Sequence, residues 1–167
     1  NFSTVEGVTF ATTVDSLLAV KYLIYDKKIC DFKTLIAALK ANWKGYEVLQ
    51  AAAKNKAPKY GRDDEEADAL ACRFMSDWSS EVWKYKTAST GAQFRGGMLS
   101  WNYWIGSGYI LPASPDGREN GQFLPNAICP VNGTDINGPT SNANSVGAAL
   151  GGKGENGDFG EWFNCLP

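Results

Sequence analysis

The chain has four cysteines, Cys30, Cys72, Cys129 and Cys165, and no histidine. Without imidazole, Ser-His-Asp and Cys-His nucleophilic catalysis and every histidine-containing zinc site are excluded. No two cysteines are spaced C-x-x-C, so a zinc knuckle or a thioredoxin-type dithiol is excluded too. An even count would suit two disulfides in a secreted protein. The lysine-rich, helical first half and the lack of a leader pattern favour reduced thiols in a cytosol.

Other candidate chemistries are weaker. Gly147-Ala148-Ala149-Leu150-Gly151-Gly152-Lys153 fills the first seven places of a phosphate-binding loop, but Gly154 stands where Ser or Thr should hold magnesium. The turn sequence Glu155-Asn156-Gly157-Asp158 follows, where a helix should begin. Asp135-Ile136-Asn137-Gly138 resembles part of a calcium loop, yet the register puts Gly133 where the first Asp belongs. Asn1-Phe2-Ser3 and Asn132-Gly133-Thr134 match the N-glycosylation pattern and read as coincidences in a chain with no secretory leader. The run Asp63-Asp64-Glu65-Glu66 reads as a capped helix start rather than a metal site, with Asp63 as cap and Glu66 returning the bond. No metal ligand set is therefore assigned.

The elements that must position any site divide the chain near residue 90. Residues 1–90 hold 3 of the 18 glycines and 11 lysines, whereas residues 91–167 hold the other glycines and only Lys153. The first part reads as helical material (1–90) and the second as strand and loop (91–167). Helices are expected from about Thr13 to Asp26, apolar nearly all round, and from about Thr34 to Lys54, with a possible kink at Gly45. A third should start at Asp63, its buried stripe made of Ala67, Leu70, Ala71, Phe74, Trp78, Val82 and Tyr85. Alternation of Leu99, Trp101, Tyr103 and Ile105 predicts a strand over Phe94 to Gly106, and the remainder reads as long Gly- and Asn-rich loops. One strand cannot make a sheet, and the first helix needs more partners than two others supply. With 167 residues, a start at Asn1 and long unsupported loops, the chain reads as a segment of something larger. Its formal charge of −2 attracts neither nucleic acid nor anionic lipid, and no apolar run is long enough for a membrane span. The six tryptophans admit one reading from another class, an aromatic-rich carbohydrate-binding or adhesion module.

A family resemblance rests on several motifs in order. Pro58-Lys59-Tyr60-Gly61-Arg62-Asp63-Asp64 is followed by Ser114-Pro115-Asp116-Gly117-Arg118, then Cys129-Pro130-Val131-Asn132-Gly133-Thr134-Asp135-Ile136-Asn137-Gly138-Pro139-Thr140, then Ser145-Val146. Together they resemble the pyruvate formate-lyase-like glycyl radical enzymes over nearly the whole chain. The resemblance implies an α/β fold, part of a ten-stranded α/β barrel wrapped in helices. It also implies a glycyl radical made by a separate radical-SAM activating enzyme, and an active-site cysteine converted to a thiyl that removes hydrogen from a small-molecule substrate. The family's thiyl-cysteine and radical-glycine loops match nothing here, so the resemblance implies no catalytic residue in this chain and no cofactor bound by it. The glycyl radical is then expected on a missing C-terminal part, and the partners are the remainder of the same enzyme and, when complete, a second copy in a homodimer. An anaerobic cytoplasm is implied. Asp116, Gly117, Arg118, Asp135, Gly138, Pro139 and Thr140 are read as structural motif residues. Asn126, Ile128, Cys129 and Pro130 are read as a loop bordering the substrate pocket. There Asn126, Ala127 and Cys129 replace the acidic residue, glycine and serine common in relatives. Gly138-Pro139-Thr140 looks more like the dehydratase, decarboxylase and lyase branches than pyruvate formate-lyase itself.

Overall fold

The computed structural model describes residues 3–98 and 103–151. Strand β1 (Ser3–Gly7) leads into α1 (Phe10–Val20), which continues as a π-helical turn over Lys21–Asp26. Helices α2 (Phe32–Lys40), α3 (Glu47–Asn55) and α4 (Glu65–Trp83) follow, then β2 (Phe94–Met98), α5 (Tyr103–Ile110) and α6 (Pro139–Leu150).

Helix α1 joins two clusters of buried side chains. Phe10, Ala11, Val14 and Leu18 pack with Tyr60, Ala67, Ala71, Met75, Met98, Ile128 and Ala149. Ala19 and Leu23 pack with Leu35, Ala38, Trp43, Leu49, Ala53 and Ala57. The apolar residues around most of α1 are thus covered on several sides, although Leu17 stays half exposed. The π turn closes with Lys27 N–H donating to Tyr22 O at 2.9 Å, and the extra residue rotates Leu23 into full burial.

Three readings of the sequence need correction. The second helix is two helices, because Asn42, Trp43 and Gly45 all take left-handed φ, at 52°, 65° and 81°. That reversal drives the Trp43 ring into the core, a larger gain than continuing an amphipathic helix through Gly45. The cap of α4 is Asp64, whose Oδ1 accepts from Ala67 N–H at 3.0 Å. Asp63 lies one residue outside with φ 58°, and Glu66 pairs with Lys21 at 2.8 Å instead of closing a capping box. Asp64→Ala should cost about 1 kcal/mol at the helix start, read as about fivefold faster amide exchange of Ala67 and Asp68.

The strand expected over 94–106 ends at Met98, and Tyr103, Trp104 and Ile105 begin α5. Leu99, Ser100, Trp101 and Asn102 lie outside the described residues. Helix wins because Trp104 and Gly108, one turn apart, both face the 122–124 segment. The Trp104 ring meets Phe123 edge-on at 5.3 Å, and Leu124 N–H donates to Trp104 O at 3.2 Å. A Cβ on Gly108 would stand 2.6 Å from Gln122 O, so glycine is what permits the approach.

The partition of the chain is also less clean than composition suggests. β1, in the helical part, pairs in parallel with β2, Ser3 opposite Phe94 and Gly7 opposite Met98. The Gly- and Asn-rich tail contains α6, with Gly138 as N-cap and Pro139 in its first turn. Ser145 and Ala149, one turn apart, are its buried face, and their small size brings α6 against α4. Gly147 to Leu150 lie in that helix and Gly151 ends it, while Gly152 and Lys153 of the candidate phosphate-binding loop lie outside the described residues.

Candidate functional site

Asp116, Gly117 and Arg118 form a tight turn held by a network of hydrogen bonds. Asp116 Oδ1 accepts from Ser114 Oγ at 2.5 Å and from Arg118 N–H at 3.3 Å. Gly117 takes φ 100°, a region that disfavours any side chain. The Arg118 guanidinium is spread over backbone oxygens. Nη1 donates to Gln122 O at 2.7 Å and Glu119 O at 3.2 Å, Nη2 to Leu111 O at 3.3 Å and to Pro112 O, and Nε to Ser114 Oγ at 3.2 Å. Five donors in a planar fork suit this task, which ammonium geometry cannot meet. Burial lowers the guanidinium's proton affinity, with Asp116 opposing.

This turn is clamped onto the helical part. Trp43 Nε1–H donates to Arg118 O at 3.2 Å, and Gln50 Nε2 donates to Gly117 O at 2.9 Å and Glu119 Oε1 at 3.0 Å. Asn120 N–H donates to Asn42 Oδ1 at 2.7 Å. Beneath lies a buried charged pair that sequence reading missed. Lys59, 2% exposed, donates to Asp116 O at 3.1 Å and stands 3.9 Å from Asp15, 0% exposed. Asp15 Oδ1 also accepts from Tyr60 N–H at 2.9 Å. A lone carboxylate among the apolar residues of α1 was the available signal.

Burial pushes the Asp15 carboxyl up to about 7, with Lys59 and the Tyr60 N–H opposing and Asp116 adding to the rise. Burial also lowers the Lys59 ammonium's proton affinity, against the pull of Asp15 and Asp116. Folded Asp15 therefore keeps a proton that the unfolded chain releases above its usual range near 3.8. Its contribution to stability is full below that value and is lost as pH rises through about 7. Asp15→Asn should flatten this loss, measured as the pH dependence of Tyr60 amide protection after correction for intrinsic exchange.

The second motif stretch locks onto the Pro58–Asp64 stretch. Gly61, at φ 93°, lies against the Pro130 ring, with an added Cβ only 2.3 Å from Pro130 Cγ. Arg62 Nε donates to Thr134 O and Asn137 Nδ2 to Arg62 O, each at 2.8 Å. Asp63 N–H donates to Ser145 Oγ at 2.9 Å, and Asn144 Nδ2 to Asp63 Oδ2 at 2.8 Å. Asp135 O accepts from Gly138 N–H at 3.3 Å, which sets the turn into α6, while the Thr140 side chain is exposed in its first turn.

The loop between the two stretches turns inward. Leu124, Pro125, Ala127, Ile128 and Pro130 are buried, whereas Asn126 and Cys129 are half-buried. Ala127 takes φ 47°, a region that favours glycine. A cavity of about 610 Å³ opens beside the loop, its lining including Lys54, Lys59, Arg62, Phe123 and Val131. Asn126, Ile128, Cys129 and Pro130 do not line it. Among the described residues no cluster of three His, Cys, Asp or Glu could hold a metal, and no helix is long and apolar enough to cross a membrane.

A family model described as pyruvate formate lyase-like matches residues 1–107. The chain is 40% identical over 137 residues to trans-4-hydroxy-L-proline dehydratase of Clostridioides difficile, covering 82% of this chain and 17% of that protein. The crystal structure of hydroxyproline dehydratase from Clostridioides difficile with trans-4-hydroxy-L-proline bound superposes with a TM-score of 0.83 at 39% identity, over 87% of this chain and 18% of the other. The B12-independent glycerol dehydratase of Clostridium butyricum, in its glycerol-bound form, gives 0.82 at 38% identity, again over 87% of this chain and 18% of the other. The chain thus spans less than a fifth of the length of these relatives. With the motif stretches interlocked in the order the sequence sets out, and these relatives alongside, the chain belongs to the pyruvate formate lyase-like family of glycyl radical enzymes.

Proposed function

We propose that the chain is a scaffold segment of a glycyl radical dehydratase or lyase, and that it holds the loop bordering the substrate pocket. The observation that carries this reading is the double lock. Trp43, Gln50 and Lys59 grip the Asp116–Arg118 turn, and Gly61 to Asp63 grip the Pro130–Ser145 stretch. The loop from Phe123 to Pro130 is suspended between these two fixed ends, which is how a scaffold presents a loop with little positional freedom.

On this reading Asn126 and Cys129 are the side chains of the loop that reach toward substrate, while Ile128 and Pro130 anchor it in the core. The hydrogen-abstracting cysteine and the radical glycine lie in other parts of the polypeptide, and a radical-SAM enzyme generates the radical. The substrate is a small hydroxylated organic molecule that loses water or a comparable leaving group. A barrel strand role for β1 and β2 fits their parallel pairing, since a two-stranded parallel sheet needs cover on its faces and more strands beside it. Among the described residues Trp43 is spent in the core and Cys30 and Cys72 form no disulfide, which counts against the carbohydrate-binding reading.

The test is an anaerobic assay of the full-length polypeptide with a radical-SAM activating enzyme and a panel of small diols and hydroxylated amino acids. Elimination of water from at least one member, detected as the carbonyl or imine product, is expected. No turnover of any member by an activated, radical-bearing enzyme would refute the dehydratase reading. Asn126→Ala should lower kcat/KM on the accepted substrate by about tenfold or more with little change in radical yield.

A further inference from the structure

We propose that the cavity between the end of α3 and the 121–134 loops is a carboxylate-binding site. At about 610 Å³ it has the size of a small-molecule pocket. Its charges do not cancel internally. The Arg118 guanidinium is enclosed by backbone oxygens, and the Asp116 carboxylate is held by Ser114 and its own turn. Lys59 is held by Asp116 O and faces Asp15. Two cations remain in the lining, Lys54 and Arg62, the second also within the field of Asp15. Arg62 spends only Nε, on Thr134 O, and neither Arg62 nor Lys54 has an ion-pair partner among the described residues.

Lys54 and Arg62 lie close enough to Lys59 to lower its proton affinity, so the three form a cluster of like charge. One anion between them would relieve all three repulsions in a half-enclosed setting, where screening is weak. The chemistry favours a planar carboxylate on an apolar body. The two Nη groups of Arg62 match a carboxylate in a bidentate fork, and Phe123 and Val131 supply apolar lining. That carboxylate comes either from an acidic side chain outside residues 1–167 or from a free small acid. The first source rests on the reading of the chain as a segment of a longer enzyme.

Hydrogen exchange of the full-length polypeptide distinguishes the two sources, with benzoate as probe and benzamide as its neutral counterpart. Lys54→Met keeps the stem that packs over Gly117 and removes the charge. If an acidic side chain occupies the site, Lys54→Met speeds exchange of residues 54–62 and 131–134 about tenfold. Lys54→Glu then speeds it further, Lys54→Arg restores protection, and benzoate changes nothing in the wild type. If the site takes a free acid, benzoate slows exchange of those segments in the wild type, benzamide does not, and Lys54→Met abolishes the effect. The proposal is overturned if Lys54→Met and Lys54→Glu exchange like the wild type and benzoate acts like benzamide. Radical formation and elimination are measured separately, so either reading can fail while the other stands.

Discussion

Gly61→Ala should unlock the Pro58–Asp64 stretch from the Pro130–Ser145 stretch. Two costs add. At φ 93° an L-residue is strained by about 1–2 kcal/mol relative to glycine. The new methyl would also stand 2.3 Å from Cγ and 2.6 Å from Cβ of Pro130, a buried ring with little room to retreat. Overpacking of this kind costs about 1–3 kcal/mol. The expected sum of about 2–5 kcal/mol corresponds to exchange of the Tyr60 and Asp63 amides faster by about 1.5 to 3.5 orders of magnitude. Those two amides report the lock because they donate to Asp15 and Ser145. Pro130→Ala in the same chain should recover the steric part and leave the backbone strain, so the double-mutant cycle shows a coupling of about 1–3 kcal/mol. Additive effects would mean that the two residues do not meet.

Arg118→Met should be at least as damaging. Methionine keeps much of the stem but leaves four backbone oxygens, on Leu111, Pro112, Glu119 and Gln122, without their donor. Each of these part-buried carbonyls costs up to about 1–3 kcal/mol when left unsatisfied, and less where water enters. A net loss of about 3–5 kcal/mol is expected, read from the amides of Ser114 and Gly117, which close the turn at 3.1 and 3.0 Å. Arg118→Lys should rescue little, because a single ammonium cannot reach oxygens on both sides of the fork. Full rescue by lysine would show that charge, rather than the fork, holds the loop.

Much of the fold was legible where one segment carries its own signal. The acidic start of α4 and its stripe of Ala67, Ala71, Phe74 and Trp78 needed only helical periodicity, and the error of one residue at the cap came from Asp63 leaving the helix to meet Asn144 and Ser145. What escaped depends on distant partners. β1 is a strand because Phe94 to Met98 lies beside it, and its five residues have no strong pattern of their own. Helix α6 has a poor helix composition, rich in Asn, Ser and Gly, yet its small face fits α4 closely and Pro139 marks its start. Tyr103 to Ile110 fits either period, and contact with Phe123 decides it.

The site was legible in its motifs and not in its supports. Asp116, Gly117, Arg118 and Gly138 stand out as turn chemistry in the sequence. Their partners Trp43 and Gln50 read only as ordinary helix residues, and Lys59, although part of a motif stretch, gives no local sign that it will be buried and hold the carbonyl of Asp116. The inward turn of Leu124, Ala127 and Ile128 was likewise hidden, because an aperiodic loop gives no face to predict.

The most direct test is electron paramagnetic resonance of the full-length polypeptide, activated anaerobically by a radical-SAM enzyme after growth on glycine deuterated at the α-carbon. A backbone radical whose hydrogen splitting collapses with that label is the predicted result. An activating enzyme that consumes its own substrate and yet leaves the polypeptide without an organic radical would contradict the assignment.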